Sequence, residues 1–406
     1  MHQTTILATA LGATLIFTAC GCQMNDWGEN GAAFVSQPPG LSGLSAQADE
    51  AGEAESVIQP RWAAIEPGGD AICARGTPFR FFVRRGDPRK VVIHFDGGGA
   101  CWDEQSCAKG SPFFKDDIPS LDEFLAVLEL DFIGGLQQVD DPALPTYGWT
   151  YVHIPYCTGD IHLGDATTEY GDVSIEHRGA TNVRSALGWL AERYPALDDI
   201  MMNGCSAGSY GAYFHAPSMA DRYPGATLRV LGDGGAGVVS ELFFAGVRQL
   251  WGVTMPSQVP ALQAPLIDGA DFFASIAAAY PDDRFAIHTT AFDANQTMFY
   301  LAAGGQPGEW PELMRQVLGE IGDRADNFRH VIAPGPTHCV TPYEHLWTRQ
   351  VEDVTLASWL TSWLYDDELP DNLSCEGEAC LDDALCDSCV PDDVRSFCQY
   401  CAAWPY

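Results

Sequence analysis

The chain has 406 residues, 46% of them hydrophobic, with 55 acidic against 21 basic side chains and a formal charge of -34. A surface that acidic repels phosphate backbones and anionic lipid head groups, which excludes nucleic-acid binding and a polybasic membrane contact. The 14 cysteines exceed what a reducing compartment holds outside metal sites, so the chain reads as a disulfide-bearing, extracytoplasmic protein.

In chain order, residues 6–18 form an apolar stretch too short to span a bilayer, running into Phe17-Thr18-Ala19-Cys20. Residues 1–22 therefore read as a signal peptide with a lipoprotein cleavage site, and plain secretion or a non-cleaved segment are the alternatives. A lipid on Cys20 is the one membrane attachment expected, giving either a cell-envelope lipoprotein or a secreted protein. Residues 23–60, rich in Gly, Ala, Ser, Glu and Gln, bury too little to offset ordering entropy and read as a flexible acidic tether. Residues 61–370 read as one globular body. Residues 371–406 read as a separate Cys-rich tail, where Cys375, Cys380, Cys386, Cys389, Cys398 and Cys401 form disulfides rather than a zinc site.

Within the body, residues 78–84 and 90–95 read as strands, the second entering Asp96-Gly97-Gly98-Gly99-Ala100-Cys101-Trp102. Successive glycines after a buried strand let backbone N–H groups face a ligand, so this run reads as an oxyanion loop. Residues 103–148 read as an insertion over the sheet edge with a helix over 121–130, and 150–156 as the next strand. Asp160, His162 and Asp165 after it read as a polar loop rather than a metal site, and no metal or other cofactor is expected. A helix over 177–194 precedes the apolar strand 200–202, the turn Gly204-Cys205-Ser206-Ala207-Gly208 and a helix over 209–222. Strand, G-x-S-x-G turn and helix form the nucleophile elbow of an α/β-hydrolase. Strands at 228–231, 285–290 and 330–333, a cap-like apolar stretch at 236–280 and a last helix over 351–365 complete the body. The alternation predicts the α/β class: a mostly parallel central sheet with helices on both faces, plus a small disulfide-rich tail.

A serine hydroxyl is a poor nucleophile until a base takes its proton and an acid orients that base. In this fold class the order is serine, acid, histidine. That order selects Ser206, Asp293 and His338, with Asp233, at an earlier strand end, as the reserve acid. His94 and His153, inside strands, read as core or surface groups. Trp102, Phe243, Phe244 and Trp251 are candidate pocket walls, though residues of this type more often belong to the core. Cys205 precedes the serine and Cys339 follows the histidine, so a formed triad brings the two together. A bridge there would close a loop of about 135 residues and stabilise the chain by about 4 to 5 kcal/mol; two unpaired buried cysteines are the alternative. These Cys-Ser and His-Cys neighbours are similar to the arrangement in tannases and fungal feruloyl esterases.

Four segments together resemble the pectin acetylesterase and Notum carboxylesterase family. They are Phe95 to Trp102 with Cys107, Ile154-Pro155-Tyr156-Cys157-Thr158-Gly159-Asp160, Gly204 to Gly211, and Phe292-Asp293-Ala294-Asn295-Gln296. The resemblance implies an α/β-hydrolase fold, the triad Ser206, Asp293 and His338, and oxyanion N–H groups from Gly98 or Gly99 and from Ala207. Cys101 and Cys107 join Cys205 and Cys339 as expected disulfide residues. The expected function is serine carboxylesterase, through an acyl-enzyme, on a small acyl ester, an acetylated polysaccharide or a polyester. A peptidase or amidase on the same scaffold and a non-catalytic surface binding protein are the alternatives.

Overall fold

In the computed structural model residues 62–130 and 133–381 are described. The expected signal peptide, the Cys20 lipid site, the tether and Cys386, Cys389, Cys398 and Cys401 lie outside those residues. Among the described residues no helix is long and apolar enough to cross a membrane.

A nine-stranded sheet forms the centre. The first strands in the chain are β1 (Trp62–Ile65), β2 (Phe81–Arg84), β3 (Asp87–Phe95) and β4 (Trp149–Ile154). A separate antiparallel hairpin follows, β5 (Ala166–Tyr170) and β6 (Val173–His177). The sheet resumes with β7 (Asp199–Cys205), β8 (Thr227–Asp233), β9 (Arg284–Thr290) and β10 (Phe328–Ala333). Two short strands, β11 (Gln350–Val351) and β12 (Val354–Thr355), pair with each other, and β13 (Leu373–Ser374) closes the sheet. The order across the sheet is β1-β2-β4-β3-β7-β8-β9-β10-β13. β2 pairs antiparallel with both β1 and β4, and every pairing from β4 to β13 is parallel.

The helices are α1 (Leu121–Leu128), α2 (Gly179–Arg193), α3 (Ala207–Arg222), α4 (Glu241–Leu250), α5 (Gly269–Ala279), α6 (Ala294–Ala302), α7 (Trp310–Arg324) and α8 (Leu356–Tyr365). Strand side chains alternate between the two faces. Val91, Ile93, Ile200, Met202, Val230 and Ile287 therefore pack with α2, α3, α5 and α7, while Val92, Met201, Leu231, Ala286 and Val331 pack with α8. Central strands covered on both faces read as near-continuous apolar runs, which is why they were visible in the sequence.

Several boundaries differ from expectation. The last helix begins at Leu356 rather than at 351, because Thr355 caps it by accepting the Ser358 N–H at 3.2 Å and the residues before it form β11 and β12. His177 ends β6 instead of opening α2. The sheet also continues past residue 370, where the tail was expected to begin. Leu373 pairs with Val331, the Cys375 N–H donates to Ile332 at 2.9 Å, and Arg315 of α7 donates to the Cys375 carbonyl at 3.0 Å.

Four disulfides are present among the described residues. Cys101–Cys107 and Cys205–Cys339 join the expected partners. Cys375–Cys380 closes the segment beside β13, and Cys73–Cys157 ties the chain before β2 to the loop after β4.

Candidate active site

Ser206 occupies the turn between β7 and α3 with φ 59° and ψ -120°. A non-glycine residue pays about 1 to 3 kcal/mol to hold such a backbone, so the surroundings must over-determine it. They do: the Ser206 N–H donates to the Asp233 carbonyl at 2.7 Å and its own carbonyl accepts from Ser209 N–H at 3.0 Å. Gly204 and Gly208 are required by close approach. A Cβ at Gly204 would lie 2.1 Å from the Gly208 oxygen, and one at Gly208 would lie 2.0 Å from the Phe95 oxygen.

Asp293 caps α6 by accepting the Gln296 N–H at 2.9 Å, and its buried carboxylate accepts from His338 Nδ1 at 2.8 and 2.9 Å. Gln296 Nε2 donates to the same carboxylate at 2.8 Å. Burial disfavours the His338 imidazolium, but the Asp293 charge and hydrogen bond outweigh it and raise the ring's pKa above its ordinary value. The Cys205–Cys339 bridge joins the residue before Ser206 to the residue after His338.

Asp233, the reserve acid, points elsewhere. Its carboxylate accepts from His288 Nδ1 at 2.7 Å, Val340 N–H at 2.8 Å, and the N–H and hydroxyl of Thr341, both at 2.7 Å. Burial pushes this carboxyl up, yet the His288 pairing and the Thr341 hydrogen bonds hold it below the usual carboxylate range.

Gly99 has φ +76°, and a Cβ there would sit 1.9 Å from the Phe113 oxygen. The Ala100 N–H donates to Phe113 and the Lys115 N–H to Gly98, so the glycine loop is laced to the 113–115 segment. Ala207, first residue of α3, carries an N–H with no acceptor inside its helix. Gly99, Ala207 and Ser206 all line one cavity of about 120 Å³. Gly98 does not line it; the Tyr156 ring and the Lys115 stem crowd its α-carbon instead.

Trp102, Phe243, Phe244 and Trp251 line the same cavity. Phe244 and Trp251 are at the same time core residues, 4% and 2% exposed. The sequence reading missed further walls: Tyr210, Val238, Val239, Phe299, Tyr300 and Trp310. Helical spacing would have found one of them, because Tyr210 of α3 stands four residues after Ser206, the residue that caps that helix.

The other polar groups have structural partners. Asp160 accepts from the Thr158 hydroxyl at 2.6 Å, the His162 N–H at 3.1 Å and the Gly179 N–H at 2.7 Å, while burial pushes its pKa up to about 6. The His162 ring donates to the Asp96 carbonyl at 2.9 Å, and Asp165 pairs with Arg178 and Arg184. These three do not form one ligand set. His94, Asp96 and His153 do bring ligand atoms within 4.8 Å of one another. However, His153 Nδ1 is buried without a hydrogen-bond partner among the described residues, whereas a metal-bound imidazole keeps an acceptor on its second nitrogen. A similar grouping of Cys205, His338 and Cys339 offers no thiolate, since the two sulfurs are bonded to each other.

The pectinacetylesterase family model matches residues 63–244, a span that holds the glycine loop and Ser206 and ends before Asp293 and His338. Pectin acetylesterase 7 of Arabidopsis thaliana is 24% identical over 170 residues. That alignment covers 41% of this chain and 42% of the relative, so the chain spans less than half the length of the relative it matches.

Proposed function

We propose that the chain is a serine carboxylesterase of the pectin acetylesterase family, with Ser206, His338 and Asp293 as its triad. The observation that carries the reading is the His338 Nδ1 hydrogen bond to the buried Asp293 carboxylate, on a loop bridged by Cys339 to the neighbour of Ser206.

In this reading the Ser206 hydroxyl attacks the ester carbonyl carbon as His338 Nε2 takes its proton. Asp293 holds the ring by Nδ1 and stabilises the imidazolium that forms. The Gly99 and Ala207 N–H groups receive the developing oxyanion, each contributing about 3 to 4 kcal/mol at the transition state. Gly98 remains the alternative donor in that loop. Collapse of the tetrahedral intermediate breaks the carbon–oxygen bond to the alcohol, which leaves with the proton from His338. Water then attacks the acyl-Ser206 ester by the same route, releasing the acid.

The relative's name speaks of acetylated pectin. A formal charge of -34 repels a polyanionic pectate chain, which favours a neutral ester over a de-esterified pectin. The disulfides support an oxidising compartment, reached through the N-terminal signal with Cys20 lipidated or the chain secreted.

Ser206→Ala tests the reading in the full chain, using nitrophenyl ester hydrolysis and fluorophosphonate labelling. Turnover and labelling that vanish together in a folded variant support it. A folded wild type that neither hydrolyses nor labels overturns it.

A further inference from the structure

We propose that the cavity beside Ser206 is an acyl pocket that selects an apolar acyl group of about phenyl or hexanoyl size over acetyl. This rests on the serine-esterase reading and goes beyond it by naming the acyl class.

Size is the first argument. The cavity holds about 120 Å³, close to the roughly 150 Å³ apolar cavity that takes up benzene. An acetyl methyl would leave most of it empty, with the wall atoms short of contacts.

Chemistry is the second. Among the described residues no charged side chain lines the cavity. Three of its polar walls are committed elsewhere: Trp251 Nε1 donates to the Cys101 carbonyl at 2.9 Å, and the Tyr300 hydroxyl donates to Glu309 at 2.9 Å. Gln296 donates to Thr289 and Asp293 at 2.8 Å each and accepts the Ala236 N–H at 2.7 Å. What these three side chains present to the cavity is carbon, so a sugar hydroxyl placed against them would lose water without gaining a partner.

Position and rigidity are the third. Ser206, Gly99 and Ala207 share the lining, so an acyl carbon bonded to Ser206 projects its substituent into this space. Trp102 packs edge-on against Phe243 at 5.2 Å and Phe299 at 6.3 Å between ring centres, and the Cys101–Cys107 bridge holds the segment that carries it. Such a preformed pocket binds without an ordering cost.

The test is kcat/KM of the full chain on nitrophenyl esters from acetyl to dodecanoyl. Each buried methylene should raise kcat/KM about fourfold up to hexanoyl, with a plateau or fall beyond it. Val239→Phe, which fills the cavity, should lower the hexanoyl-to-acetyl ratio about tenfold. Phe299→Ala, which enlarges it, should move the optimum to longer chains, and it keeps the test alive where the larger residue prevents folding. An active wild type that is fastest on acetyl overturns the pocket and leaves the esterase reading standing. A hexanoyl preference untouched by both variants overturns the cavity as its location. No turnover of any ester, with Ser206 unlabelled in folded protein, overturns the esterase reading and the pocket with it.

Discussion

Asp233 holds Ser206 by its backbone, accepting the serine N–H at 2.7 Å, while its carboxylate holds Val340 and Thr341 just beyond His338. One residue at the end of β8 thus fixes both the turn that carries Ser206 and the loop that carries His338. Asp233→Asn keeps the shape and removes the charge facing His288. Breaking a buried pair of this kind costs about 3 to 5 kcal/mol, to be read by denaturant unfolding. Because the wild-type carboxyl sits below its ordinary value, its contribution is full above about pH 3.9 and is lost as pH falls through the folded-state value. The acid limb of the stability profile should flatten correspondingly in Asp233→Asn.

With His338 as the proposed base, a pH dependence of catalysis is expected. Only the neutral ring accepts the Ser206 proton, so kcat/KM should fall about tenfold per pH unit below an inflection lying above about 6.5. Asp293→Asn removes the largest causes that raise that value and leaves the burial that lowers it, with the smaller pull of the Asp233 charge. The inflection should therefore move to lower pH, with kcat down by a factor of order 10^4. For stability the sign is opposite to that of a depressed carboxylate: the His338–Asp293 contribution is full below about pH 6.5 and is lost as pH rises through the folded value. A pH–rate profile and thermal unfolding across the same range check both.

The Cys205–Cys339 bridge spans 134 residues. A Cys205→Ala, Cys339→Ala double variant should lose about 4 to 5 kcal/mol of unfolding free energy in the chain-entropy model. Its kcat should fall further than its KM rises, because the serine and histidine loops lose their covalent spacing.

Gly99→Ala tests the oxyanion loop. The added methyl meets the Phe113 oxygen and the backbone has a positive φ, so the loop must shift. With the Gly99 N–H displaced, kcat should drop about 10^2- to 10^3-fold while circular dichroism reports an intact fold.

The sequence by itself determined the local chemistry of this protein. G-x-S-x-G between an apolar strand and a helix dictates the elbow at Ser206, because only glycine tolerates the backbone contacts beside it. Apolar runs such as 91–93 and 200–202 announce strands covered on both faces, and Cys205 beside Ser206 with Cys339 beside His338 announced their bridge. Tertiary structure alone decided questions of direction and distance. Chain order put Asp293 ahead of Asp233 as the acid, but only the packing of β8, β9 and the 334–341 loop turns Asp233 to His288 and Asp293 to His338. Cys73 meets Cys157 across 84 residues, and Leu373 joins the sheet beside Val331, through contacts that no local pattern records. The cavity walls were legible only in part, since a Phe or Trp reads alike in a core and in a pocket, and Phe244 and Trp251 serve as both. Propensity and periodicity act between residues a few positions apart, whereas a site is assembled from side chains that the fold brings together over long stretches of chain.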